Sequence, residues 1–141
     1  MLTVEMTLYG WPDNSPPGNA IAYPKIHQGA GGTGTYADPV TFATSRNEEM
    51  PGTIIYIPAF LKYAIMEDDC VSCDSDWNNG MKYHFDFWLN SNAGANTQAV
   101  IQCEDMWSNG MAMVEINAPP GRMVDPTPLF DTTTNKCSST P

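Results

Sequence analysis

Along most of this chain apolar and polar residues alternate with a period of two. From position 3 to 9, Val4, Met6 and Leu8 interleave with Glu5, Thr7 and Tyr9. Successive strand side chains point to opposite faces, so this pattern predicts a strand with one apolar face. Similar short runs follow at 40–44, 53–58, 63–67, 83–89, 99–103 and 111–117. Between them lie turn-rich stretches, such as 11–18 with three prolines and the glycine-rich run 29–34. Helical periodicity is sparse, with room for one short helix near 95–98 or 103–108. About seven short strands punctuated by Gly, Pro and Asn predict a mainly all-β, compact barrel or sandwich with long loops and no internal repeat.

One strand carries candidate chemistry. In the run from Lys82 to Leu89, Phe85, Phe87 and Leu89 face one way, while His84, Asp86 and Trp88 face the other. The first set predicts core. The second sets a single carboxylate beside an aromatic plate, which is what holding a sugar and protonating its leaving oxygen requires. A solvated aspartate satisfying a turn or a cross-strand partner would give the same pattern.

Composition narrows the classes. At 141 residues the chain suits one domain, expected over 1–131, with a Ser/Thr/Pro-rich tail or linker start over 132–141. Asp and Glu outnumber Lys and Arg by 16 to 6, for a formal charge of −10. The six scattered basic residues form no stripe able to neutralise phosphates, which argues against nucleic acid and anionic membranes as partners. No apolar run approaches membrane-spanning length. The expected partner is a polysaccharide, and the expected state a monomer.

Four cysteines (Cys70, Cys73, Cys103, Cys137) in a small acidic chain fit a secreted, disulfide-bonded protein. Met1 leads directly into a strand pattern, so it reads as a mature or recombinant start. Four cysteines allow three pairings; Cys70–Cys73 with Cys103–Cys137 is the one favoured. A redox role for the Cys70–Cys73 pair would want a helix behind it to lower the thiol pKa, and the pattern predicts none. Zinc would want further ligands, and His27 and His84 are the only histidines. The stretch from Asp74 to Gly80 imitates a calcium loop but has Asn79 where the sixth-position glycine belongs and Phe85 where the twelfth-position glutamate belongs. No metal and no cofactor are therefore expected. Trp11 in its Pro-rich loop and Trp77 in a polar stretch are the tryptophans best placed to stack on sugars, with Tyr9, Tyr36 and Trp88 as further aromatic candidates.

Three segments carry a resemblance. The runs Pro51-Gly52-Thr53-Ile54-Ile55-Tyr56-Ile57-Pro58, Lys62-Tyr63-Ala64-Ile65-Met66-Glu67-Asp68 and His84-Phe85-Asp86-Phe87-Trp88 resemble, in that order, motifs of the three-aspartate domain of bacterial lytic transglycosylases. His84-Phe85-Asp86 is also similar to the HFD of family 45 endoglucanases and expansins, whose opening strand has a Thr-x-Tyr pattern like Thr7-Leu8-Tyr9. The resemblance implies a six-stranded double-psi β-barrel with at most one or two short helices. It implies Asp86 as the acid that protonates the glycosidic oxygen. Asp68 falls on the aspartate of the second motif, with Asp69 where that motif has threonine, and Asp13 resembles the family 45 base. Two departures stand out: Ser45 occupies the position of the first of the three aspartates, and the cysteine-dense start of family 45 is missing.

These readings together predict a secreted, fungal-type glycoside hydrolase of a β-1,4-linked wall polysaccharide. Asp86 is the expected acid, a second carboxylate among Asp13, Asp68 and Asp69 the expected activator of water, and Thr7, Tyr9, Trp11, Tyr36, Trp77, His84 and Trp88 the expected substrate contacts. Peptidoglycan is favoured over cellulose, although a charge of −10 would slow encounter with an anionic wall. A lytic transglycosylase, an endoglucanase and a non-catalytic expansin-type protein are the alternatives.

Overall fold

A computed structural model describes residues 1–108 and 110–138. Six of the seven expected strands are present with ends close to those predicted: β1 (Leu2–Tyr9), β2 (Val40–Ala43), β3 (Ile54–Ile57), β4 (Lys62–Asp68), β5 (His84–Trp88) and β6 (Gly110–Ile116). They close into a barrel in the order β1-β5-β2-β4-β3-β6. The pairs β1/β5 and β2/β4 are parallel and the other four are antiparallel. Exchanging the first three strands with the last three maps every pairing onto one of the same sense. This internal two-fold, relating two parallel crossovers, is the double-psi arrangement.

Alternation explains the barrel's interior. Val4, Met6 and Leu8 of β1 point inward to meet Phe42, Met66, Phe85 and Phe87, all nearly solvent-free. The Phe42 and Phe85 rings lie 4.9 Å apart, centroid to centroid. β4 is buried along its whole length: the apolar run 63–66 is continuous, and the charged Lys62, Glu67 and Asp68 at its ends are buried with it. Its buried Lys62 reaches out to the Asp125 and Thr127 carbonyls. Burial pushes the Lys62 ammonium pKa down.

The seventh expected strand, 99–103, is instead part of helix α2 (Thr97–Trp107). Asn96 caps it by accepting the Ala99 N–H at 2.9 Å. The buried Val100, Cys103 and Glu104 together with Trp107 recur at helical spacing, and the β-branched Val100 and Ile101 masked that period. A second helix, α1 (Val71–Asn78), begins directly after Cys70, where the pattern predicted none. The Cys70 sulfur accepts the Cys73 N–H at 3.1 Å and caps it. The stretch that imitates a calcium loop is therefore largely helical.

Two disulfides join Cys70 to Cys73 and Cys103 to Cys137. The second bridge ties α2 to the small hairpin of β7 (Phe130–Asp131) and β8 (Lys136–Cys137). Trp107 Nε1 adds a bond to the Ser138 carbonyl at 3.0 Å. The segment that composition marks as a tail is thus anchored through Ser138, while 139–141 lie outside the described residues.

Candidate active site

Strand register builds the site. Between Phe42↔Met66 and Ala43↔Asp68 the β2/β4 ladder slips by one residue, a bulge at Glu67. Ala43 also pairs with Asp86 on its other side, and Asp86 pairs with Thr7. Asp68, Ala43, Asp86 and Thr7 therefore form one row across four neighbouring strands. Alanine, the smallest side chain of the row, separates the two acids.

Asp86 is partly buried, and Thr7 Oγ1 donates to its Oδ1 at 2.9 Å. Because that spends the hydroxyl proton, the bond between Thr7 Oγ1 and His84 Nε2, at 2.8 Å, must run from the imidazole. Nδ1 of the same ring faces Asp76 Oδ2 at 3.0 Å and Glu5 Oε2 at 3.2 Å. Burial pushes the Asp86 carboxyl up to about 7, partly offset by the Thr7 bond and reinforced by the negative charge of Asp13 and Asp68. A carboxyl titrating near neutrality is what a general acid needs.

Asp68 is differently occupied. Its Oδ2 accepts from Tyr9 at 2.8 Å, and its Oδ1 takes the backbone N–H groups of Ala22 and Asp69, each at 2.9 Å. Glu67, fully buried, accepts from the N–H groups of Ile26 and His27, from Thr41 and from the His27 ring. The bulged Glu67-Asp68 pair is thus the anchor of the long loop over 14–39. His27 completes the anchor: its Nε2 meets Asp38 at 2.7 Å. Burial lowers the His27 pKa, but hydrogen bonds to Asp38 and Glu67 outweigh that and leave it raised. Asp69 stands ahead of α1, its carboxyl pushed to about 6 by burial and by Asp74.

Asp13 lies on a 3₁₀ turn (Trp11–Asp13) just past β1. It is exposed, its Oδ2 accepts the Gly10 N–H at 2.7 Å, and its charge reaches Asp86. Beside it is Glu104 of α2, only 5 % exposed. Burial, then the neighbouring Asp13 carboxylate, pushes the Glu104 carboxyl to about 10. Glu48 is a further acid, near the start of β5. It accepts from Thr44 at 2.8 Å, and burial raises its carboxyl to about 7. Neither glutamate stands out in the strand pattern. Glu104 becomes visible only once 97–107 is read as a helix with an acid on its apolar stripe.

The expected aromatic contacts divide. Trp88 is 5 % exposed and packs edge-on to Tyr9 at 5.3 Å, in a cluster with the Cys70–Cys73 bridge. Tyr9 is itself buried with its hydroxyl on Asp68, and burial followed by the Asp68 charge raises its pKa well above the phenolic norm. Both are part of the wall: on this face of β5, Trp88 clusters with the Cys70–Cys73 bridge and His84 meets Asp76 of α1. Trp77 sits on α1, half-buried against Tyr83 at 5.4 Å. Tyr36 is 41 % exposed and rests on Tyr63, which does not touch the row of acids in the strand register. Trp11, half-buried and two residues from Asp13, is the ring left at the site.

Among the described residues, two groups bring metal-ligand atoms within 4.8 Å of one another. Cys70, Cys73 and His84 cannot serve, because the sulfurs are bridged. In Glu5, Asp76 and His84 the two carboxylates already contact the imidazole Nδ1, at 3.2 and 3.0 Å. A separate cavity of about 140 Å³, lined by Phe60, Phe87, Trp88 and Leu129 among others, carries no carboxylate. No helix among the described residues is long and apolar enough to cross a membrane.

No solved structure matches this chain. An uncharacterized protein of Dictyostelium discoideum, DDB_G0273701/DDB_G0273221, is 39% identical over 142 residues, covering 99% of this chain. The chain spans 61% of that relative's length. The family model described as the DDB_G0273701 N-terminal domain matches residues 1–138, and the chain belongs to that family.

Proposed function

We propose that this domain is a secreted glycoside hydrolase acting on a β-1,4-linked wall polysaccharide, with peptidoglycan the favoured substrate. The observation that carries the reading is Asp86: a partly buried carboxyl pushed to about 7, at the middle of a polar row and within reach of the charge of an exposed carboxylate, Asp13. Asp86 donates its proton to the glycosidic oxygen as the bond to the anomeric carbon breaks. Asp13 accepts a proton from water as the water oxygen bonds that carbon. Asp13 fills this role better than Asp68, whose two oxygens already accept three hydrogen bonds. Trp11 supplies a stacking surface beside Asp13. The two disulfides support an oxidising, extracellular location.

Digestion of purified peptidoglycan, with mass analysis of the products, tests this. Release of fragments with reducing ends, lost in Asp86→Asn and in Asp13→Asn, is the expected result. Anhydro ends point to a lytic transglycosylase, and release from soluble cellulose alone points to an endoglucanase. Release unchanged by Asp86→Asn refutes the acid assignment. A non-catalytic, expansin-type reading is favoured by one observation, the occupation of Asp68 by structural bonds. It predicts wall binding with no release at all.

A further inference from the structure

Glu104 is buried at the foot of the 3₁₀ turn, where α2 packs against β1, and its Oε2 has no hydrogen-bond partner. Among the described residues no N–H or O–H group donates to it. The Ser91 hydroxyl, its polar neighbour across Gly10, already donates to the Leu89 carbonyl at 2.8 Å and accepts from the Trp11 N–H at 2.9 Å. Gly10 is what admits the carboxyl: a β-carbon there would stand 2.9 Å from Glu104 Oε2 and 2.8 Å from Ser91 Oγ. The charged groups acting on Glu104, among the described residues, are Asp13, Asp86 and Asp105, all acidic. A buried carboxylate with neither donor nor cation is costly, and two carboxyls in contact do not both ionise.

We infer that Glu104 and Asp13 share one proton, held on the buried partner, and that Glu104 is thereby a positioning residue for Asp13. Asp13 is then gripped by two donors, the Gly10 N–H through Oδ2 and the Glu104 O–H. Its remaining lone pairs are turned outward to water. The raised pKa of Glu104 agrees with this, since the proton stays in place throughout the range in which Asp86 titrates. The positioning role rests on the hydrolase reading above; the shared proton does not.

Two measurements separate them. Infrared difference spectra at about pH 8.5 examine the full chain where Asp86 and Glu48, both at about 7, have largely ionised and Glu104, at about 10, has not. A protonated-carboxyl band is expected in the wild type, absent in Glu104→Gln and shifted in Asp13→Asn. No such band, or its persistence in Glu104→Gln, overturns the shared proton. On the wall substrate, Glu104→Ala should lower kcat by about 100-fold with KM little changed, the scale of a misplaced catalytic group. Glu104→Gln, whose amide still donates to Asp13, should recover most of it. Equal kcat in all three proteins, with only the melting temperature moved, overturns the positioning role. A wild type that cleaves no glycan removes the hydrolase reading and the positioning role with it, whereas the band still decides the pair.

Discussion

Replacing Asp86 by asparagine tests the electrostatics of the site without any substrate. The side chain keeps its shape, and its oxygen can still accept from Thr7. What disappears is the ionisable proton. In the wild type the carboxyl is raised from 3.8 to about 7, so between those values the folded state holds a proton that the unfolded chain has released. Stability then falls as pH rises, by about 1.4 kcal/mol per unit, and levels off above the folded value. Moving the carboxyl from 3.8 to about 7 corresponds to about 4 kcal/mol. Water entry and relaxation around the ionised group reduce this, so about 2–4 kcal/mol is expected. At about 3 °C per kcal/mol for a chain of this size, Asp86→Asn should melt about 6–12 °C above the wild type at pH ~8.5. The two should melt nearly together at pH ~4. Glu48, Asp69 and Glu104, whose carboxyls are also raised, are present in both proteins and largely cancel. Thermal melts by circular dichroism at pH ~4, ~6 and ~8.5 provide the comparison. A variant less stable than the wild type at pH ~8.5, or a difference independent of pH, would refute a raised Asp86 carboxyl. Activity should move the other way, falling about 10²–10⁴-fold with loss of the acid. Gaining stability while losing catalysis is the signature of a group kept for its chemistry.

Two further predictions concern the frame. Removing the Cys103–Cys137 bridge as a double alanine variant opens a loop of sequence separation 34 and should cost up to about 4 kcal/mol by the chain-entropy estimate. Denaturant unfolding measures this, and an unchanged midpoint would show that α2 and the β7–β8 hairpin hold together without the bridge. His27→Ala should loosen the 14–39 loop by about 1.5–3 kcal/mol, the range for losing hydrogen bonds to charged groups. Because the His27 pKa is raised, its contribution is fully present below the ordinary histidine value near 6.5 and fades as pH climbs through the folded value. Limited proteolysis of 14–39 should therefore separate variant from wild type most strongly near pH ~5, and a larger difference at alkaline pH would contradict the argument.

What the chain's own pattern determined was the barrel. Period-two alternation in β1 and β5, and the apolar run 63–66 within β4, are local consequences of burying one or both strand faces, and they mark the strands to within a residue or two. The motif order brought Asp86 forward as the acid. The helices were harder to see. Val100 and Ile101 favour a strand by propensity, yet α2 forms because its apolar stripe has the barrel to pack against and a disulfide to hold it.

The surroundings of the individual acids were decided only by the tertiary structure. Asp68 and Asp86 look alike in sequence, each an acid in an apolar strand. A bulge at Glu67 and the arrival of the 14–39 loop saturate Asp68 with donors, while Asp86 receives one hydroxyl and the field of its neighbours. Trp88 alternates as a surface residue but is covered by elements far from it in the chain. Glu104 is an ordinary glutamate until α2 sets it against Asp13 beneath Gly10. Alternation is a property of neighbouring residues. Hydrogen-bond saturation, desolvation and charge coupling depend on which distant segments converge, and in this fold they set which carboxyl holds a proton.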